Sequence, residues 1–308
     1  MSQRLPASIP DIVDVTFIHG ADVNPDTAPR LRLRLLIDVP HGATTAHDFE
    51  SLAALLDSPL PRDLIDFFYV NTDTGAPELS LAIAEALVAA APDTSVVITR
   101  CRIPRTFIDC NRVIDASPEA FKEGGVAPGL MPWVTSADDR ALLRGRYDAY
   151  QATVQAAMAM LSSDGSMLLM HTYAPRTVGV EVDLNIVQSL HAAYAPDVET
   201  TWPLRPELDV IGRALDGTLM APADVMAALT RELATIDHEL GDSSTYPLHP
   251  STLGWHHAVA LPGRCLCLEA RRDLFVERFI PFSEAVIDPQ RTAALASPIA
   301  RALSTWWR

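Results

Sequence analysis

Short apolar runs alternate with helical ones along this chain, and the alternation predicts its fold class. Over residues 31–39 leucine alternates with arginine and then runs through Leu35-Leu36-Ile37, the pattern of a strand entering the centre of a sheet, and the run stops at Pro40-His41-Gly42. Residues 76–90 are rich in Ala and Leu at helical spacing, and the β-branched run Ser95-Val96-Val97-Ile98-Thr99-Arg100 follows as a strand. A second Ala/Met-rich helix is predicted over 147–161, closed by Ser162-Ser163-Asp164-Gly165, and a buried strand over 166–170 then stops at His171. Further helices are expected over 183–195 and 222–240, and late strands over 258–261 and 264–270. Helices alternating with short apolar strands predict a three-layer α/β/α sandwich around a mixed, mostly parallel sheet. The length suits one domain over 1–308, and the Pro-, Gly- and Ser-rich stretches 117–133 and 242–254 read as loops or lids.

Composition narrows the class. Hydrophobic residues make up 48% and charged residues 20%, as in a globular enzyme. The net charge of −15, from 24 Lys+Arg against 39 Asp+Glu, argues against a nucleic-acid surface and requires any anionic ligand to find a local basic pocket. Cys101, Cys110, Cys265 and Cys267 form no Cys-x-x-Cys pair and sit in apolar runs, which predicts buried free thiols and suits a reducing cytoplasm. The N-terminal stretch 1–14 has no apolar core behind a basic start, so neither a signal peptide nor a membrane anchor is expected.

In a sheet of this kind ligands bind at the carboxyl ends of strands, which is where His41, His171 and Glu269 are expected. Two imidazoles converging there suit a catalytic zinc, which takes three protein ligands and keeps one position open. Asp73, in a turn before a helix, is the best placed acid for the third; a lone strand-end histidine is otherwise ordinary hydrogen-bonded structure. His47, six residues after His41, is an alternative ligand, and the other histidines are scattered. Glu269 lies inside the apolar run Cys265-Leu266-Cys267-Leu268-Glu269-Ala270, where a carboxylate is costly unless paired or functional. It is either a buried ion pair with Arg271 or Arg272, or a general base with a raised pKa. The run Arg105-Thr106-Phe107-Ile108-Asp109-Cys110-Asn111-Arg112 reads as a strand-like stretch that is either an ion-paired strand end or an anion site built from guanidinium and amide donors.

Five segments in this order resemble the N-formylglutamate amidohydrolase family, whose fold is similar to that of the zinc carboxypeptidases. They are Asp38-Val39-Pro40-His41-Gly42, Thr72-Asp73-Thr74-Gly75-Ala76, the run from Arg105 to Arg112, the stretch 147–172 ending in His171-Thr172, and Leu266-Cys267-Leu268-Glu269-Ala270-Arg271-Arg272-Asp273-Leu274. The resemblance implies a zinc-dependent hydrolase of a C–N amide bond, of the kind that converts N-formyl-L-glutamate and water to formate and L-glutamate. His41 and His171 would be ligands to one Zn2+ with Asp73 as the third, Glu269 would promote attack by water, and Arg105 would polarise the scissile carbonyl or grip a second carboxylate. Asn111 and Arg112 would clamp a substrate carboxylate.

The chain also departs from the family. The carboxypeptidases supply a Glu three residues after the first His, where this chain has Thr44; Tyr150 is followed by Gln151 rather than His; and the stretch 200–213 lacks the usual Pro-Tyr segment. A carboxypeptidase, an N-acyl-amino-acid deacylase of other specificity, and a metal-free protein that binds anionic ligands therefore stand beside the leading reading. In each case the partner is a small molecule or short peptide, with no nucleic acid and no membrane.

Overall fold

The computed structural model describes residues 5–23 and 33–307. In chain order these form β1 (Val13–His19), β2 (Leu33–Val39), α1 (Ala46–Ala53), α2 (Leu64–Asn71), α3 (Ala76–Ala90), β3 (Ser95–Cys101), α4 (Pro118–Glu123), α5 (Ala137–Met158) and β4 (Leu161–Tyr173). There follow α6 (Ile186–Ala193), α7 (Pro196–Glu199), β5 (Leu208–Val210), α8 (Ala223–Ala234), β6 (Leu240–Asp242), α9 (Leu253–Ala260), β7 (Cys265–Arg271) and α10 (Pro289–Leu303).

The strands make one sheet in the order β1-β3-β2-β4-β7-β5-β6. β3, β2, β4 and β7 run parallel, while β1 joins β3 and β5 joins β7 antiparallel. Two-residue periodicity splits the central strands between two cores. Leu35, Ile37, Leu168, Met170, Leu266 and Leu268 pack under α3, α8 and α10. Leu36, Met167, Leu169, Cys265 and Cys267 pack on the other face, with apolar residues of α1, α2, α5 and α6. The architecture is the three-layer α/β/α sandwich that the pattern predicts, and all four cysteines are buried and free. No helix among the described residues is long and apolar enough to cross a membrane.

Several elements differ from expectation. α5 starts ten residues before position 147, and β4 runs on through the Ser-Ser-Asp-Gly stretch instead of starting after it. Gly165 explains this: a Cβ there would lie 2.7 Å from the carbonyl oxygen of Leu33, so glycine lets two strands approach at the bulge rather than marking a turn. The predicted helix over 222–240 ends at Ala234, beyond which Asp237 takes φ 58° and the chain enters β6. Residues 258–260 close helix α9 and are not a strand. The run 105–112 is a set of turns hung on single bridges, Ile108 to Leu130 and Arg112 to Thr252, not a strand. The start of the predicted β2 at 31–32 and the first four residues of the N-terminal stretch lie outside the described residues.

Candidate metal centre

Three connections deliver side chains to one end of the sheet. β2 ends at Val39, and a tight turn closed by Gly42 N to Val39 O (3.2 Å) leaves His41 buried just beyond it. Asp73 precedes α3 in a turn that needs Gly75 at φ 91°, where a Cβ would also strike the Phe275 ring at 2.8 Å. β4 carries His171, and the next residue latches the two connections together: Thr172 donates from Oγ1 to Thr74 O (2.8 Å) and from N to Asp73 Oδ2 (3.3 Å).

The result is a tight cluster. Nδ1 of His41 lies 3.2 Å and Nδ1 of His171 2.9 Å from the same oxygen, Asp73 Oδ2. One donor atom from each of these three residues falls within 4.8 Å of the others, and all three side chains are buried. Two imidazoles and a carboxylate are the donor set of a catalytic zinc site. On its far edge His41 meets a second acid, with Nε2 2.7 Å from Asp109 Oδ1, so the ring has an acceptor at each nitrogen. A cation between the Nδ1 atoms and Oδ2 would satisfy both faces of that ring, which is the arrangement in which a carboxylate orients a ligating histidine. The three residues therefore fit a divalent ion.

Burial alone would raise the Asp73 carboxyl, but attraction to His41 and hydrogen bonds from both rings outweigh it and hold the group far below the ordinary range. Asp109 is likewise buried and held low, by Arg112, His41 and Arg105. Arg105 reaches Asp109 Oδ2 (3.0 Å) and Asp73 Oδ1 (3.6 Å), and these acids keep its guanidinium charged despite burial.

Glu269 is in register with His171 across the β4–β7 ladder, and both point to the face that holds Cys267 and Leu169. Its Oε2 is buried with no hydrogen-bond partner. Neither arginine proposed as its ion-pair partner turns toward it. Arg271 pairs with Asp273 and Glu207, while Arg272 donates to the carbonyls of Val70 and Thr172 and faces Asp73 Oδ1 at 3.8 Å. Burial pushes the Glu269 carboxyl up to about 7, with His171 opposing and Asp73 adding to the shift.

These groups open on a cavity of about 270 Å3 lined by His41, His171, Glu269, Arg105, Asn111 and Arg112, among others. Asn111 is held by Gly254 N to its Oδ1 (3.2 Å), and its Nδ2 lies 3.4 Å from His171 Nε2. Arg112 is buried, with Asp109 Oδ2 at 3.4 Å and the carbonyls of Ala127 and Asn111 at 3.3 Å, and burial lowers its pKa. Both predicted lids contribute walls: Val126, Ala127 and Met131 from one, and Tyr246, Leu248 and Thr252 from the other. His47 stays outside, exposed on α1 and 3.3 Å from Ser51 Oγ.

Sequence reasoning gave no role to Asp109, although it lies four residues after Arg105 in the quoted run. It treated Arg272 only as a partner for Glu269, and it did not foresee that residues 174–185 wall the cavity. The alternation of valine in that last stretch is the signal that was available.

No family model matches the chain, and no curated protein does. Solved structures do match over almost the whole length. N-formylglutamate amidohydrolase from Ralstonia eutropha JMP134 superposes with a TM-score of 0.55 at 15% identity, covering 94% of this chain and 98% of that one. The fold is shared with that amidohydrolase. The gene product Atu2144 from Agrobacterium tumefaciens matches similarly, with a TM-score of 0.54 at 16% identity over 96% of this chain and 95% of the other.

Proposed function

We propose that the chain is a zinc-dependent hydrolase of a C–N amide bond, acting on an N-acyl amino acid that bears a carboxylate. The observation that carries this reading is the register pair His171–Glu269, which sets a carboxylate whose Oε2 is buried without a hydrogen-bond partner beside a His-Asp-His donor set at the edge of one cavity. The shared fold with an N-formylglutamate amidohydrolase agrees with it.

His41, Asp73 and His171 would hold the ion. A divalent cation bound there supplies Lewis acidity, lowering the pKa of water and polarising a carbonyl. The chain's own groups do the rest. Glu269, pushed up to about 7, accepts a proton from the attacking water and returns it to the leaving nitrogen. Arg105, held charged by Asp109 and Asp73, donates to the oxygen that gains charge as the carbonyl carbon becomes tetrahedral. Arg112 and Asn111 hold the substrate carboxylate.

Elemental analysis of the purified protein, coupled to a panel of N-formyl, N-acetyl, N-succinyl and short peptide substrates, tests the proposal. About one zinc per chain and hydrolysis of an N-acyl amino acid are expected. No stoichiometric metal, together with no turnover after zinc reconstitution, would overturn it and favour an anion-binding protein.

A further inference from the structure

Arg176, Arg205 and Tyr246 add polar groups to the cavity lining, but one continuous stretch of its wall is apolar. Residues 174–185, between β4 and α6, form no regular element, but 177–182 alternate: Thr177, Gly179 and Glu181 are exposed, while Val178, Val180 and Val182 are partly covered and line the cavity. That is the two-residue period of extended chain, with three β-branched side chains turned inward. Facing helices complete the wall, with Phe67 and Val70 on α2 and Leu190 on α6. None of these six side chains offers a hydrogen bond. A substrate that is polar at both ends would leave this wall against water or against a desolvated carboxylate, and both are unfavourable.

We infer that the substrate is an N-acyl amino acid carrying a hydrophobic group of several carbons, on its acyl or its side-chain end, which lodges against Val178, Val180 and Val182. This inference rests on the hydrolase reading above. The cavity of about 270 Å3 has room for roughly nine waters, enough for such a group together with the scissile amide. Each methylene buried there contributes about a fourfold gain in kcat/KM or affinity.

Two measurements test it. With the zinc-loaded protein, formyl, acetyl, butyryl and hexanoyl glutamate form one series, and N-acetyl glycine, alanine, norvaline, leucine and phenylalanine the other. The series that meets the valines identifies which end is hydrophobic, by a rise in kcat/KM of about fourfold per methylene until the wall is reached. With the protein as purified, calorimetric titration of straight-chain carboxylates from acetate to octanoate should show affinity rising by the same factor. Val180→Asp should flatten both rises, and Val180→Leu should move each optimum to a shorter chain. N-formyl-L-glutamate outpacing every hydrophobic substrate, or carboxylate affinity independent of chain length, overturns the inference while leaving the hydrolase reading intact. Affinity that climbs with chain length without hydrolysis of any N-acyl substrate sinks the hydrolase reading and keeps the apolar site.

Discussion

Nε2 of His41 lies 2.7 Å from Oδ1 of Asp109, on the opposite edge of the ring from Asp73. Asp109 is fully buried, and its other oxygen meets Arg105 at 3.0 Å and Arg112 at 3.4 Å, so one carboxylate fixes both the imidazole and the arginine pair. Asp109→Asn keeps the shape but removes the acceptor charge. Zinc affinity, measured by competition with a chromophoric chelator, should fall about 10- to 100-fold; an unchanged affinity would show that Asp109 does not orient the ring.

Glu269→Gln should abolish turnover while zinc content stays at the parental level. Turnover near the parental rate would remove Glu269 from the role of base.

The same substitution has a signature in stability. The Glu269 pKa rises from 4.5 to about 7 on folding, so the folded chain holds that proton more tightly than the unfolded one. The group is neutral in both states below pH 4.5 and costs the most above pH 7, where it must ionise in a buried site. In protein stripped of metal, Glu269→Gln should therefore match the parent in urea unfolding near pH 4 and exceed it by up to about 3 kcal/mol at pH 8. A gap that does not change with pH would contradict the shift.

The arrangement was partly legible before any coordinates. Helix α3 matches its predicted limits at both ends because punctuation and periodicity agree there: Gly75 and Pro77 open it, and apolar residues recur at helical spacing to Ala90. The central strands β2, β3, β4 and β7 were legible because strands buried on both faces read as continuous apolar runs. A run as short as 258–260 carries no period of its own, and it closed a helix instead. α10 was missed, and it carries Pro298 in its interior, a residue that ordinarily reads as a breaker. His41, Asp73 and His171 meet as expected from strand-end and turn positions. The 2.7 Å contact between His41 and Asp109 joins residues 68 positions apart, both outside any regular element, and no local pattern encodes it.

Arg112 is the proposed carboxylate clamp. Arg112→Gln should raise KM for N-acyl amino acids roughly 10-fold or more, the worth of a charge-assisted hydrogen bond, with a smaller effect on kcat. The matching N-acyl amino amides, which lack the carboxylate, should be far less affected. Equal effects on both substrate types would assign Arg112 to holding Asp109 alone.

Tyr150 on α5 donates to Asp38 Oδ1 at 2.7 Å, and Thr99 donates to the same oxygen at 2.6 Å. Asp38 is the penultimate residue of β2, three residues before His41, and burial raises its pKa. Tyr150→Phe leaves that carboxyl with one donor fewer and should cost about 1 to 3 kcal/mol in urea unfolding. A loss below about half a kilocalorie would mean that water replaces the phenol.

The valine-bearing segment 174–185 leaves β4 directly after the latch at Thr172 and reaches α6 without pairing into the sheet. On the proposed hydrolase reading, reaction chemistry and substrate choice are carried by separable parts of one chain. The ladder registers Glu269 against His171, while the valine wall joins β4 to α6 and is tied near its start to residues 203–205, by Thr177 N to Pro203 O (2.9 Å) and Arg205 N to Pro175 O (2.9 Å). On the proposed reading, the stretch 178–185 beyond those ties could change in length and composition without disturbing the pairing of His171 with Glu269, so substrate choice could diverge while the reaction stays the same.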